Sequence, residues 1–520
     1  MANPPSLLTD ERIRAAYAEG AGIYRILPRA VARPASVAEL AGLLRWSHSA
    51  ATPLIPRGSG SGMPGGSVGR GAIVDLSAFQ GVTVDREARL ATAGAAATWA
   101  AVQEAARAFG LRLPPDPSSG AFATSGGMVS TNAAGPRTVR YGSVRRWVEA
   151  VTVVGGDGEP RGVRRGGGPG PWRPARDALE RAARRFPATR KNSSGYALDA
   201  FLASGDELDL LIGAEGTLGF VTEVTWRLDP IPPDVAGVAL GFADLSALAE
   251  AVPFLVALNP SAVELLDATL LSFVREAGAE LPDGLACLLL VEFERETSAA
   301  ARGSVGDAVR GLRNLTAHVE TAVDRDGLAR LWAVRKLASP ALARLPRSRR
   351  SLQVIEDGCV PLARLGEYVL GVRRAAEARG IPVAVFGHAG DGHVHVNALP
   401  DTEAPGFVSA LRGLLDDVTT LLLDLGGTPS GEHGDGRLRA GLLERFFGAE
   451  GMECFRDLKR AYDPRGMLNP GVILPAADWA PLADLKVGRD AAPIPDDIAA
   501  RLRELEQTGG WATPKIDLAS

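Results

Sequence analysis

Four of the six histidines of this 520-residue chain fall in two short runs, and that clustering constrains the fold more than any other feature. The first run is Gly387-His388-Ala389-Gly390-Asp391-Gly392-His393-Val394-His395-Val396-Asn397; the second, Gly431-Glu432-His433-Gly434, follows about thirty-five residues later. Apolar Val383-Ala384-Val385-Phe386 reads as a buried strand, and the Gly-Asp-Gly turn sends the chain back as Val394-His395-Val396-Asn397. Residues two apart on a strand share a face, so His393, His395 and Asn397 can point into one cleft, and the turn can bring His388 to it. Two imidazoles and the Glu432 carboxylate make a metal site with positions left for water and substrate. His433 is then spare for proton transfer. The competing reading is a hairpin whose histidines merely cap turns; the second run, with Glu and His between glycines, weighs against it.

The length predicts two or three domains. A net charge of −4 points to no polyanionic partner, so nucleic-acid binding is not expected. Cys287, Cys359 and Cys454 are far apart and no CxxC occurs. Thiolate-held iron–sulfur clusters, thiolate zinc and a disulfide framework are therefore not expected, and a reducing, cytoplasmic setting fits. Met1-Ala2-Asn3-Pro4-Pro5 lacks the basic and apolar regions of a signal peptide. No apolar run approaches the roughly 18 residues needed to cross a bilayer, so attachment to the inner membrane face is expected only through a partner.

Along the chain, Ser36 caps a predicted helix over 37–47, and a strand at Leu54-Ile55-Pro56 runs into Arg57-Gly58-Ser59-Gly60-Ser61-Gly62-Met63-Pro64-Gly65. A Rossmann fingerprint must open a helix, but Pro64 interrupts this one and another strand, 71–76, follows; Rossmann is rejected. The loop is read instead as a nest of N–H groups for a pyrophosphate, against an ordinary Gly-rich turn. Residues 82–84 and 90–93 predict a hairpin, Thr98 caps a helix to Phe109, and 150–154 is a strand. The small, polar run from Thr124 to Gly135 lets backbone approach a flat ligand closely, with Asn132 and hydroxyls as partners. Residues 162–174 predict an exposed loop, 210–212 a strand before the Gly-rich turn at 213–219, and 229–233 a linker. Beyond it, strands at 238–242, 286–293 and 317–323 alternate with helices at 245–258 and 298–312, an α+β pattern. Asp326 is read as the cap of a helix carrying Trp332 and Arg335. The tail from Trp479 is polar and Pro-rich yet carries an Ile498/Leu502/Leu505 stripe and Trp511.

These motifs resemble those of the flavin-dependent 2-hydroxy-acid dehydrogenases of the vanillyl-alcohol oxidase/PCMH superfamily: D-lactate dehydrogenases, glycolate oxidase FAD subunits and D-2-hydroxyglutarate dehydrogenases. The resemblance runs from about Ser36 to Leu474. It implies an α+β fold in which residues 1–230 form a two-part PCMH-type FAD-binding domain and 231–430 an α+β, ferredoxin-like substrate domain. Residues 431–475 then return to the flavin. The stripe on the tail, 476–520, is read two ways: it docks a partner, or it packs back on its own flavin domain. Pro56, Arg57, Gly58, Ser59, Gly60 and Ser61 resemble the pyrophosphate loop, with Ser59 where Gly is usual. Pro117, Thr124, Ser125, Gly127, Ser130, Asn132, Gly135 and Tyr141 resemble the isoalloxazine side. Glu215, Gly216, Gly219 and Val221 resemble a third FAD segment, and Asn469 the C-terminal return. No His or Cys in the loop suits a covalent link, so FAD is expected to be noncovalent.

The resemblance further implies His388, His395 and Glu432 as ligands of a divalent metal, zinc first, with manganese or iron as alternatives. It makes His433 the general base, Arg335 the carboxylate clamp and Asn397 a substrate-side residue. His393 stands where Asn is usual and is read as a wall residue or an outer partner rather than a third imidazole ligand. Ile355-Glu356-Asp357 replaces Lys-Tyr-Asp of the hydroxyglutarate enzymes, which weighs against a second substrate carboxylate. The expected reaction is oxidation of a D-2-hydroxy acid, D-lactate or glycolate-like, with hydride passing to flavin N5. An oxygen-using oxidase of another alcohol, a D-2-hydroxyglutarate dehydrogenase and a non-catalytic electron-transfer flavoprotein are the alternatives. The expected partners are a small 2-hydroxy acid and a separate iron–sulfur or quinone-linked acceptor subunit, with a homodimer as a further assembly.

Overall fold

The protein is described here as a computed structural model covering residues 6–346 and 348–519; the Met1–Pro5 segment lies outside the described residues. The strands Leu54–Arg57 and Ala72–Asp75 pair in parallel, joined only by the Gly-rich loop with no helix between them, which excludes a Rossmann unit. They belong to a four-stranded sheet with Leu7–Leu8 and Ala30–Ala32. Ser36 caps the helix Val37–Ala50, whose Leu40, Leu43 and Leu44 are buried against this sheet. A second, antiparallel sheet runs in the order Val82–Asp85, Leu90–Gly94, Phe220–Arg227, Val148–Val154 and Pro160–Arg164. The stretch expected as a loop at 162–174 thus begins as the edge strand of that sheet. Asp229–Pro230, inside the expected linker, pairs with Leu111–Arg112.

The remaining strands form one six-stranded antiparallel sheet, in the order His318–Ala322, Asp234–Phe242, Cys287–Arg295, Ala262–Asp267, Val383–Gly387 and His395–Ala398. Numbered along the chain, its first four strands lie 4-1-3-2, the ferredoxin-like arrangement. The His hairpin extends it beside Ala262–Asp267, with Leu266 opposite Phe386. Both faces are covered, as the period of two requires. Leu240, Leu289, Val291 and Val385 pack on the side of helices Leu248–Ala257 and Ser298–Leu312. Ala239, Leu288, Leu290 and Phe386 pack on the side of Ala268–Glu276 and Arg325–Lys336.

Four further expectations change. Residues 210–212 lie at the end of a helix, Glu207–Leu211, rather than in a strand: Asp206 caps Leu208 N–H, and so short an apolar run does not itself distinguish the two. The central strand Ala262–Asp267 and the helix after it went unread, because Glu264 interrupts the apolar run and no Gly or Pro separates the elements. The cap of Arg325–Lys336 is Asp324, whose Oδ1 accepts from Gly327 N–H, rather than Asp326. Finally, the tail does not stand free for a partner. Its helix Asp496–Thr508 buries Ile498, Leu502 and Leu505 against Ala16, Tyr17, Ile55 and Ile73. Lys486 N–H donates to Ile23 O and Arg25 N–H to Asp484 O, so the polar lead-in is also stitched to the N-terminal segment. The chain supplies its own partner for that apolar stripe. Among the described residues, no helix is long and apolar enough to cross a membrane.

Candidate active site and cofactor cavity

A cavity of about 1460 Å³ opens between the two N-terminal sheets and the six-stranded sheet. Pro56, Arg57, Gly58, Ser59, Gly60 and Ser61 line it, with Pro117, Thr124, Gly127, Ser130, Glu215, Gly216, Gly219 and Val221. At its other end stand Arg335, His395, Asn397, Glu432 and His433. Among the described residues, no protein group accepts from the backbone N–H groups of residues 58 to 62. Consecutive free N–H groups at a turn suit a pyrophosphate. The Arg57 guanidinium is turned inward and donates to Tyr17 O and Glu19 O, which braces the loop from the protein side. Gly60, at φ +80°, lies so close that a Cβ would stand 2.4 Å from Arg57 Nη2. This cradle fits the diphosphate of FAD.

Five residues assigned to the cofactor do not line the cavity. Ser125 Oγ accepts from Trp226 Nε1 in the core. Asn132, a left-handed helix terminus, accepts from Ser143 Oγ and Arg145 N–H. Gly135 is packed where a Cβ would meet Asp116 O at 2.3 Å. Tyr141 hydrogen-bonds Glu294 across the junction of the sheets. Asn469 Nδ2 ties Gly66 O to Glu215 O. Ser125, Asn132, Gly135 and Asn469 are small or amide residues and Tyr141 an aromatic with a polar tip, types that serve packing and ligand contact alike; the sequence does not separate the two. The run from Thr124 is itself a helix, Ser125–Thr131, capped by Thr124.

At the far end, His388 Nε2 lies 3.1 Å from Glu432 Oε1 and 3.4 Å from His395 Nε2. His395 Nε2 lies 3.3 Å from Glu432 Oε1. Donors about 2.0–2.1 Å from a tetrahedral ion stand roughly 3.3 Å apart, so these three atoms fit one face of a divalent-metal site. Their other nitrogens are held: His388 Nδ1 is 2.6 Å from Glu264 Oε1 and His395 Nδ1 is 3.2 Å from Glu356 O. Such outer partners fix the tautomer and aim Nε2. His393 does not reach the cavity; its Nε2 is 2.8 Å from Asp357 Oδ1 and its Nδ1 3.5 Å from Lys191 Nζ. Burial, then Lys191, pushes its pKa down to about 3.

Arg335 Nε donates to Glu264 Oε2 at 2.8 Å, and no described protein group accepts from its terminal amino groups. Asn397 Oδ1 accepts from Ser351 Oγ. His433 Nδ1 is 3.3 Å from Glu356 Oε1, and its backbone N–H donates to Asp357 Oδ2. Burial pushes the His433 pKa down, but Asp357, Glu356 and Glu432 outweigh it and raise it to about 9. Glu215 turns its carboxylate to the N–H groups of Asp435 and Gly436, joining the flavin-side turn to the Gly-Glu-His-Gly loop. Burial, then Asp435, raises its pKa to about 8.

Sequence reasoning missed Glu264, Lys191 and the Glu356–Arg439 pair. A single glutamate within the apolar run 262–266 was the one available signal for Glu264. Lys191 and Arg439 carried none, because their partners lie far off in the chain. The tail also enters the cavity wall, through Arg503, Glu506, Gln507 and Trp511.

Residues 28–163 match the FAD binding domain family, and residues 231–473 match the FAD linked oxidases, C-terminal domain. The D-lactate dehydrogenase of Archaeoglobus fulgidus is 31% identical over 460 residues, covering 86% of this chain and 93% of that protein. Glycolate oxidase subunit GlcD of Bacillus subtilis is 30% identical, covering 86% and 89%. A D-2-hydroxyglutarate dehydrogenase of Xanthomonas citri pv. viticola is 31% identical, covering 87% and 90%. Among solved structures, an alkyldihydroxyacetonephosphate synthase shares the fold at TM-score 0.62 and 17% identity, over 90% of this chain and 87% of that one. With an FAD binding domain ahead of an FAD-linked oxidase C-terminal domain, the chain belongs to the FAD-linked oxidase family of flavoprotein oxidoreductases.

Proposed function

We propose that this enzyme oxidises a small D-2-hydroxy acid, of the D-lactate or glycolate kind, to the 2-oxo acid. The observation that carries the reading is the convergence of the His388–His395–Glu432 donors, Arg335 and His433 at one end of the flavin cavity. When bound, FAD supplies the hydride acceptor and a divalent ion, zinc first, a Lewis acid for the hydroxyl and carboxylate oxygens. Arg335 grips the substrate carboxylate with its terminal amino groups; Glu264 holds the guanidinium in place through Nε. His433 takes the hydroxyl proton at Nε2, while Nδ1 stays anchored by Glu356. With Glu432 engaged as a ligand, His433 loses one of the three carboxylates that raise its pKa, which favours the neutral base.

Glu356, buried beside Arg439 and His433, places a carboxylate near the substrate end and disfavours a second substrate carboxylate. Residues 1–230 and 431–475 serve the flavin in this reading and 231–430 the metal and substrate, with Glu432 and His433 reaching into that site from the start of 431–475. Electrons leave the flavin for a separate iron–sulfur subunit, a quinone or a cytochrome; three of the similar proteins are named as subunits of a glycolate oxidase. Anaerobic bleaching of the bound flavin across a panel of D- and L-2-hydroxy acids, before and after chelation, tests the reading. Bleaching by a D-acid that disappears on chelation supports it; no bleaching by any member sinks it. Dye reduction in excess of hydrogen peroxide yield separates a dehydrogenase from an oxidase.

A further inference from the structure

Lys191 is buried behind the metal-ligand cluster and does not line the cavity. It sits on the loop between helices Arg176–Ala183 and Leu198–Ser204, far from Glu432 in sequence. That loop is zipped onto the Gly-Glu-His-Gly segment residue by residue. Asn192 Oδ1 accepts from Thr428 Oγ1, and Ser193 N–H and Oγ donate to Ser430 O and Gly431 O. Ser194 Oγ and Gly195 N–H donate to the two oxygens of Asp435. Lys191 begins this seam. Its Nζ donates to Glu432 Oε2 at 2.8 Å and to Gly135 O at 3.3 Å, and lies 3.6 Å from Asp391 Oδ2.

The two oxygens of Glu432 are thus divided. Oε1 faces the two imidazoles, at 3.1 and 3.3 Å, and Oε2 faces the ammonium. A free carboxylate can close on an ion with both oxygens. An ammonium held on Oε2 by two further contacts opposes that rotation, and a charge-assisted hydrogen bond away from water is strong enough to decide it. We propose that Lys191 is a positioning residue that keeps Glu432 a one-oxygen ligand. It thereby reserves a coordination position on the cavity side for the chelating hydroxyl and carboxylate of the substrate. The inference rests on the metal-centred reading above. It differs from a merely structural role in its readout: removing one partner of a buried ion pair costs stability in either case, but only a positioning role changes how many oxygens Glu432 presents to the ion.

The test uses the FAD-loaded protein with zinc, in wild type, Lys191→Met and Lys191→Gln, with zinc and FAD per chain measured first. X-ray absorption at the zinc edge counts carboxylate oxygens, and oxalate, titrated through its perturbation of the flavin spectrum, probes the reserved position. In wild type one oxygen of Glu432 is expected at zinc. Lys191→Met should gain the second oxygen and bind oxalate more weakly by roughly tenfold or more, the scale seen when an outer partner of a ligand is lost. Lys191→Gln, which keeps a donor for Oε2, should restore the wild-type count. A two-oxygen carboxylate in wild type overturns the proposal even if neither variant folds. So does a Lys191→Met protein with unchanged count and oxalate affinity. If wild type holds no zinc or other divalent ion, the metal-centred reading itself falls, and this inference with it.

Discussion

At the scale of single residues, the site works by division of atoms. His388 and His395 each spend Nδ1 on a protein acceptor and keep Nε2 for the cluster. Glu264 serves two groups at once, with Oε1 on His388 and Oε2 on Arg335. Burial alone raises its pKa, but His388 and Arg335 outweigh it and hold it at about 2, so it stays ionised. Replacing His388, His395 or Glu432 by Ala is expected to remove bound metal and turnover while FAD per chain stays near wild type, because the flavin loops lie on other elements. Metal analysis beside the flavin absorbance checks this, and loss of FAD in step with metal would mark the cluster as structural. His433→Gln should keep metal and substrate binding and lower turnover by about 10²–10⁴. Stopped-flow reduction of the flavin reads that rate directly, and an unchanged rate removes His433 as the base.

At the scale of elements, the tail is a strap between the two halves of the molecule. Its helix buries an apolar stripe on the N-terminal side, while Arg503 donates to Ala343 O and Leu345 O and Glu506 pairs with Arg350 on the other. Leu502→Ala is expected to cost about 2–5 kcal/mol and to speed loss of FAD on warming, seen as a lower melting temperature and earlier flavin fluorescence. Burial pushes Glu506 up, but Lys486, Arg350 and Arg503 hold it down at about 2, against an ordinary 4.5. The folded protein therefore binds this proton less readily than the unfolded chain. The stabilisation is complete above about 4.5 and fades as pH falls toward about 2. The melting-temperature gap between wild type and Glu506→Gln should narrow across that window; a gap independent of pH contradicts the ion-pair account. The His hairpin was legible in sequence because Val383, Val385, Val394 and Val396 alternate around a Gly-Asp-Gly turn. The strand beside it was not, because Glu264 breaks the apolar pattern that identifies a buried strand.

At the scale of the whole molecule, charged side chains hold the six-stranded sheet to the flavin side. Glu292 and Glu294 share one face of the Cys287–Arg295 strand. Glu292 accepts from Arg137 Nε and Nη2, Ser261 Oγ and Trp332 Nε1, and Glu294 accepts both terminal amino groups of Arg112. Glu292→Ala leaves Arg137, partly buried, with Asp116 and, at 3.7 Å, Glu294 as its remaining ion-pair partners, and removes the acceptor of Trp332 on the helix that carries Arg335. It is expected to cost up to about 3–5 kcal/mol and to raise KM for the hydroxy acid, measured by melting and by flavin-reduction titration. FAD is expected to be held without a covalent bond. Acid precipitation should leave the yellow chromophore in the supernatant, and colour retained in the pellet contradicts this.

The sequence by itself determined what is local. The turn chemistry of the Gly-rich loop, the hairpin with its histidines, the helix caps at Ser36 and Thr98, and the rejection of a Rossmann unit all follow from residues near one another in the chain. Spacing also brought Glu432 and His433 into consideration, because a Gly-Glu-His-Gly run advertises itself. Tertiary structure alone decided which partners claim which atoms. Lys191 meets Glu432 across 241 residues, Glu264 meets His388 across 124, and Arg439 meets Glu356 across 83. It also decided that the Ile498, Leu502 and Leu505 stripe is covered by the chain itself rather than by a second protein. An apolar face or a charged side chain states in sequence only that it needs a partner. Which partner it finds depends on the packing of elements distant in the chain, and no local pattern encodes that distance.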